Sequence, residues 1–99
     1  MKEEYKSLAL KKNEDLQRFE LDIDGSLALI EYTEKPGVIA LIHTEVDPSL
    51  EGKGAGTAIV EKTLEYIEEN NLKLIPLCPF VASYLKRHPD WQRIVANKS

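Results

Sequence analysis

A glycine-rich segment that separates an apolar run from an amphipathic stretch constrains the fold of this chain more than any other feature. Residues 38–46 are nearly all apolar, which is typical of a central strand covered on both faces. Residues 51–57 then read Glu-Gly-Lys-Gly-Ala-Gly-Thr. Apolar side chains recur at helical spacing over residues 54–70, and a short apolar run follows at residues 72–77. This order of strand, turn, helix and strand predicts a right-handed βαβ unit with two parallel strands.

The residues before this unit predict an antiparallel meander. Apolar and acidic side chains alternate over residues 19–23, the period of two expected of a strand with one buried face. Asp24-Gly25 is a signal for a tight hairpin turn, and residues 26–34 read as the partner strand. A second turn signal at residues 35–37 leads into the apolar run. Residues 1–15 are polar without a clear period, so we expect them to fray or to add an edge element.

The residues after the unit predict one more helix. Pro79 suits the first turn of a helix that continues to about Arg87, and Pro89 ends it. Three apolar side chains are expected to cover the sheet edge: Trp91, Ile94 and Val95. With 99 residues the chain has room for one core. The predicted fold is therefore α/β (α+β), with a three-stranded meander, a βαβ unit and a C-terminal helix in one domain over residues 1–99.

Composition excludes several classes of function. The net charge is −4, which argues against nucleic acid as the main partner, because phosphate neutralisation needs a dense cationic face. A single cysteine can form neither an intramolecular disulfide nor a zinc quartet, and we expect no metal site. No run approaches the roughly 20 apolar residues of a membrane span, and the charged N-terminus is unlike a signal peptide. We expect a soluble, cytoplasmic protein, monomeric or weakly dimeric.

The glycine-rich segment is a candidate anion site. Glycines let the backbone approach an anion closely, and the first N–H groups of the following helix have no internal partner. The helix dipole adds roughly half a positive charge at that end. The segment matches neither the Walker A pattern nor G-x-G-x-x-G, which makes ATP and dinucleotides poor candidates. The alternative is a turn whose glycines only let the helix pack tightly on the sheet.

Cys78 is a candidate nucleophile. It ends the last predicted strand immediately before a helix N-terminus, a position that can make a thiol reactive. The alternative is a small buried apolar side chain, the commoner role of a lone cysteine.

His43 and Glu45 are candidate bases, and Tyr84 is a candidate acid. At strand spacing His43 and Glu45 share one face, and the period of two places that face with Ile39 and Leu41. They suit proton transfer, or else a lysine pairs with the carboxylate and a backbone carbonyl satisfies the imidazole. Tyr84 could protonate a leaving thiolate, although packing on the inner face of its helix is the default. These residues follow parallel strands, where open α/β sheets bind ligands.

At this point the chain resembles a known family. The glycine loop is close to the pattern [QR]-x-x-G-x-[GA] of the GNAT superfamily of CoA-dependent N-acetyltransferases. Further motifs resemble a short, single-domain subgroup of that superfamily: His43-Thr44-Glu45-Val46, Gly52-Lys53-Gly54, Cys78-Pro79-Phe80-Val81 and Tyr84-Leu85-Lys86-Arg87-His88-Pro89. The resemblance covers about residues 16–96. The loop is moderately specific by itself, and together with the other motifs it becomes a strong signal.

The resemblance implies how acetyl-CoA would bind. It would lie in a V-shaped opening between the strand that ends at Val46 and the strand that ends at Leu77, with its pantetheine paired to backbone near Val46. Its pyrophosphate would accept N–H groups from seven residues: Glu51, Gly52, Lys53, Gly54, Ala55, Gly56 and Thr57.

The resemblance also implies a reaction. An amine attacks the thioester, Glu45 or His43 removes its proton, and an acid protonates the departing CoA thiolate. Tyr84 matches the usual position of that acid. Cys78 lies where the acyl group arrives, so it is either an acyl acceptor or a part of the substrate pocket.

Three departures from the family pattern bear on these expectations. Glu51 stands where Gln or Arg is usual, and Lys53 is expected to compensate for its charge. His88-Pro89 replaces the usual Gly-Phe after Tyr84. The chain also lacks the extra N-terminal helices of larger members, which implies an open acceptor site suited to a protein or peptide amine. Two alternatives to an enzyme remain: a CoA-binding or acyl-CoA-sensing module with little turnover, and a small interaction domain.

Overall fold

The computed structural model describes residues 2–96, so Met1 and residues 97–99 of the predicted domain lie outside the described part of the chain. The described residues form five strands and three α-helices, which follow one another along the sequence: α1 (Glu3–Lys6), β1 (Lys11–Asn13), β2 (Arg18–Ile23), β3 (Ser26–Lys35), β4 (Val38–Val46), α2 (Ala55–Glu69), β5 (Lys73–Pro76) and α3 (Pro79–Arg87). The same part of the chain contains two 3-10 turns, Pro48–Leu50 and Pro89–Ile94. No helix among the described residues is both long and apolar enough to cross a lipid bilayer.

The strands form one sheet in the order β1-β2-β3-β4-β5. Strands β1 to β4 pair antiparallel, and β5 pairs parallel with β4. This confirms the predicted meander followed by a βαβ unit, and β1 is the edge element that residues 1–15 add. The sequence of β1 does not show the pattern of a strand, because two of its three residues are lysines. Lys12 nevertheless turns inward, where its Nζ lies 2.7 Å from Glu34 Oε1 and faces the rings of Tyr32 and Tyr66.

The core lies on one face of the sheet, under α2 and α3. The alternating residues of β2 point into it, and Phe19 and Leu21 are fully buried. The apolar stripe of α2 is buried along its length: Ala55, Ala58, Ile59, Val60, Thr63, Leu64 and Ile67. Beyond α3, Val95 forms a bridge with Leu74 of β5, as expected of a segment that covers the sheet edge.

A β-bulge in β4 overturns one expectation about the polar residues of this strand. Leu41 pairs with Tyr32 and His43 pairs with Glu31, so Ile42 has no partner on β3. The extra residue shifts the alternation by one position from there on. His43 and Glu45 therefore lie on the face opposite Ile39 and Leu41, and the prediction that they share a face is wrong.

The second face of the sheet is open where the sequence predicted cover on both faces. The described helices all pack on the core face, since Tyr5 of α1 belongs to the same cluster as α2 and α3. On the second face Ala40 is nearly buried, while Ile42 and Ile75 stay 40% and 37% exposed. The carboxyl end of β4 is therefore accessible from the side that carries His43 and Glu45.

Candidate active site

Strands β4 and β5 separate after a short paired segment. Their last paired residues are Leu41 and Pro76, and the N–H groups of Leu77 and Cys78 both donate to Leu41 O, at 3.0 and 2.9 Å. From there β4 continues to Val46, paired with β3 alone. The sheet therefore has a V-shaped opening at the carboxyl ends of its parallel strands, where the sequence predicted a binding site.

The backbone of Val46 faces this opening. The next residue, Asp47, donates its N–H to Leu27 O of the β3 side at 2.9 Å. Neighbouring N–H groups along a strand point to opposite sides, so the N–H of Val46 points away from β3. This orientation leaves it available to a ligand in the opening.

The glycine loop bends in the way that its sequence demands. Asp47 begins it, since its carboxylate accepts hydrogen bonds from the N–H and hydroxyl of Ser49, which hold the pKa of Asp47 below its usual value. Gly52 and Gly54 have φ angles of 77° and 78°, in the left-handed region that favours glycine. Ala58 N–H donates to Gly54 O at 3.0 Å. The N–H groups of residues 55–57 thus precede the bonds of α2 and are free to meet an anion.

A cleft of about 330 Å³ lies beside this loop. We call it the loop cleft. Nine residues line it: Val46, Leu50, Glu51, Gly52, Gly54, Ala55, Gly56, Thr57 and Phe80. Seven of them are predicted CoA-binding residues, which the fold brings together. Lys53 is the exception, because it lines a separate depression with Glu4 and Tyr5 on the other side of the loop.

Leu50 and Phe80 join the cleft without having been predicted. Phe80 packs across the start of α2, where a Cβ added to Gly56 would lie 2.7 Å from its ring. Leu50, Val46 and Phe80 supply an apolar wall next to the N–H groups of the helix start. A chain such as pantetheine next to a pyrophosphate fits this combination, whereas the carboxylate of Glu51 opposes it. The signal for Phe80 was its place two residues after Cys78, on the turn that follows a parallel strand.

Cys78 lies at the opening, on the core face. It is 3% exposed, and its Sγ lies 3.2 Å from Thr44 Oγ1. Thr44 belongs to β4 and Cys78 follows β5, so this contact spans the gap between the strands. The sequence pattern did not predict an inward position for Thr44, because that position depends on the bulge and the apolar–polar alternation does not show a bulge.

His43 and Glu45 form a pair on the opposite face. His43 Nε2 lies 3.2 Å from Glu45 Oε1, and both side chains are more than half exposed. They do not line the loop cleft.

Tyr84 is held outside the loop cleft. Its hydroxyl donates to Glu61 Oε2 of α2 at 2.9 Å, and its ring stacks on His88 at 4.3 Å. Burial, with the hydrogen bond to Glu61, raises the pKa of Tyr84 to about 12. The packing role expected of Tyr84 is confirmed by its burial, and its role as an acid stays a prediction.

The raised pKa makes a pH-dependent contribution of Tyr84 to stability. The folded state holds the phenol proton more tightly than the unfolded state, so the contribution is complete below about pH 10 and is lost as pH approaches 12. Relative to Tyr84→Phe, the wild-type protein should lose about 2 kcal/mol of unfolding free energy over that interval. Urea unfolding of both proteins from pH 9 upward measures this, and parallel curves would contradict it.

Within residues 2–96, no group of three or more His, Cys, Asp or Glu side chains is arranged to hold a metal ion.

Comparison with known proteins adds to this geometry. Residues 18–94 match the model of the GCN5-related N-acetyl-transferase family. A solution structure from Staphylococcus aureus, described as a GCN5-like candidate N-acetyltransferase, superimposes with a TM-score of 0.68 at 29% identity. The superposition covers 95% of this chain and 93% of the Staphylococcus aureus chain.

Three curated relatives are Protein NATD1 of Gallus gallus, of Mus musculus and of Homo sapiens, each 30% identical over 66 residues. The match spans 67% of this chain and 59%, 59% and 58% of those proteins, so it covers less than two thirds of their length.

Proposed function

Because this chain belongs to the GCN5-related N-acetyl-transferase family, we propose that it transfers an acetyl group from acetyl-CoA to an amine. The observation that carries the proposal is the loop cleft, in which free helix N–H groups and an apolar wall meet at the opening between β4 and β5. Bound acetyl-CoA would supply a thioester carbonyl as the acyl donor. The N–H groups of residues 55–57 would hold its pyrophosphate, and Val46 would pair with its pantetheine.

Cys78 is the residue that we assign to the acyl group. Its sulfur would bond to the acetyl carbon as the bond from that carbon to the CoA sulfur breaks, and the thiol proton would pass to the CoA thiolate. Attack by the amine would then release the acetyl amide and restore the thiol. Support comes from the place of Cys78 at the opening and from its contact with Thr44.

His43 and Glu45 are the residues that we assign to the acceptor. An amine is protonated at neutral pH and attacks only after it loses a proton, which this exposed pair would remove. The second face of the sheet, with Ile42 and Ile75 exposed beside the pair, is open enough for a protein or peptide amine. Acceptor and donor would then meet at the opening from opposite sides.

One observation favours a second candidate, a module that binds CoA or acyl-CoA with little turnover. The hydroxyl of Tyr84 is engaged with Glu61 and does not line the cleft, so it does not offer an acid to the leaving thiolate. Such a module would bind CoA as tightly as an enzyme and form no product.

Calorimetry with CoA tests the shared part of both candidates. We expect one site per chain, and a CoA concentration of about a hundred times Kd should stabilise the fold by about 2.7 kcal/mol. NAD is the control ligand, because it has a pyrophosphate and lacks pantetheine. Absence of CoA binding would refute both candidates and leave an interaction domain. Binding without acetylation of any amine in an acceptor screen would select the sensing module.

A further inference from the structure

The charges that line the loop cleft do not suit a ligand rich in phosphate. Glu51 is the one charged side chain among its lining residues, and it is negative. Lys53, expected to offset it, lines the depression beyond the loop. The dipole of α2 offers only about half a positive charge at its start. A cation that balances the phosphates of CoA has to come from another part of the chain.

Residues 2–10 pass next to the loop, and we call them the N-terminal strap. Its anchor is Tyr5 of α1, which is 3% exposed and belongs to the core cluster. The Tyr5 hydroxyl donates to Lys53 O at 2.8 Å, in the middle of the glycine loop. The strap therefore holds the backbone of the loop directly.

The other end of the strap is tied to α2. Lys62 donates from Nζ to Leu8 O at 2.7 Å and to Lys6 O at 3.3 Å. Leu8 and Leu10 pack against the core. With Tyr5 at one end and Lys62 at the other, the position of the strap relative to the start of α2 is set by the fold.

Lys2 lies beside the glycine loop, next to Gly54. Its Cε is 3.8 Å from the position of a Cβ on Gly54, the residue that caps α2 and lines the cleft. Its side chain is exposed. A lysine ammonium is a compact positive charge on a flexible stem, so it can adjust its position to pair with a phosphate group.

We propose that the N-terminal strap is part of the CoA site and that Lys2 supplies the cation for the phosphate groups of CoA. The inference rests on the proposed function, since it concerns the same ligand. It assigns the compensation of Glu51 to Lys2 in place of Lys53. Tyr5 acts as a positioning residue, because it holds the loop and the strap together.

A charge reversal at Lys2 tests the inference in the full chain. At low salt, Lys2→Glu should weaken CoA binding about tenfold, because it removes an exposed attraction to phosphate and introduces an exposed repulsion in its place. The slope of log Kd against log salt should also fall. Lys35→Glu is the matched control, because it makes the same change of charge on an exposed lysine just before β4, at the end of the strand remote from the loop, and it should alter Kd less than about twofold.

Pantetheine separates a phosphate contact from a change in loop structure, since it has no phosphate group. Lys2→Glu should leave the binding of pantetheine unchanged. With dephospho-CoA, a retained tenfold effect assigns Lys2 to the pyrophosphate, and a lost effect assigns it to the 3′-phosphate; both support the inference.

Two results would overturn the inference while the proposed function stands. One is equal binding of CoA by the wild-type and Lys2→Glu proteins, and the other is an equal loss for pantetheine and CoA. If the wild-type protein does not bind CoA at all, the proposed function fails first and this inference fails with it.

Discussion

Replacement of Cys78 by alanine is expected to lower acetyl transfer from acetyl-CoA at least about a hundredfold while CoA affinity stays within about twofold. Cys78 does not line the loop cleft, and its sulfur lies at the opening between β4 and β5. Binding and chemistry should therefore separate in this variant. The wild-type protein incubated with acetyl-CoA should gain about 42 Da, one acetyl group, and the variant should gain none. Intact-mass measurement and calorimetry on the same samples give both results.

Cys78→Ser is the matched variant, since it keeps the size of the side chain and its contact with Thr44. A serine hydroxyl is a much poorer nucleophile at neutral pH, so this variant should also lose transfer. If both variants transfer acetyl groups at the wild-type rate, the amine attacks acetyl-CoA directly and Cys78 only lines the path. An adduct that persists in Cys78→Ala would place the acetyl group on another residue.

Gly56→Val is expected to weaken CoA binding about tenfold to a hundredfold. A Cβ at this position would lie 2.7 Å from Cζ of Phe80, and the ring is a wall of the loop cleft. The ring is 41% exposed, so it can shift without straining the core, and a tenfold to hundredfold loss of affinity corresponds to about 1.4–2.7 kcal/mol for moving the displaced ring to admit the ligand. Gly56→Ala should show a smaller effect in the same direction, because alanine adds only a Cβ methyl group against the ring, whereas valine adds two further methyl groups.

Removal of the ring provides the control for this steric argument. In a Phe80→Ala background, Gly56→Val should bind CoA about as well as Phe80→Ala by itself, so the double-mutant cycle should show coupling of about 1 kcal/mol or more. Thermal unfolding of each variant checks that the fold survives. Additive losses would show that valine blocks the ligand or the helix start directly and that Phe80 has no part in it.

The βαβ unit was predictable because each of its parts has a local signature. Strand β4 has the predicted bounds, 38–46, α3 runs from Pro79 to Arg87 as predicted, and α2 is one residue shorter at each end than the predicted 54–70. The glycines predicted the loop, since Gly52 and Gly54 adopt positive φ angles that are unfavourable for other residues. Local sequence was sufficient here because periodicity and turn chemistry act over a few residues.

The bulge and the edge strand were not predictable in the same way. Strand β1 is too short and too polar to show a period, and it exists because β2 offers it a free edge. The bulge at Ile42 depends on the pairing of β4 with β3, so only the assembled sheet shows that His43 and Glu45 face away from Leu41. The register between two strands depends on both of them, so the sequence of either strand alone is not sufficient to predict it.

By itself the sequence determined the order of the elements from β2 to α3, the glycine loop before α2, and the residue types that lie at the carboxyl ends of the parallel strands. Only the tertiary structure decided which of these residues meet. It placed Thr44 against Cys78, Phe80 against Gly56 and Tyr84 against Glu61. It also placed Lys2 next to Gly54 and Lys53 in a separate depression with Glu4 and Tyr5. The physical reason is that local periodicity sets the faces of single elements, whereas contacts between elements follow from how those faces pack together.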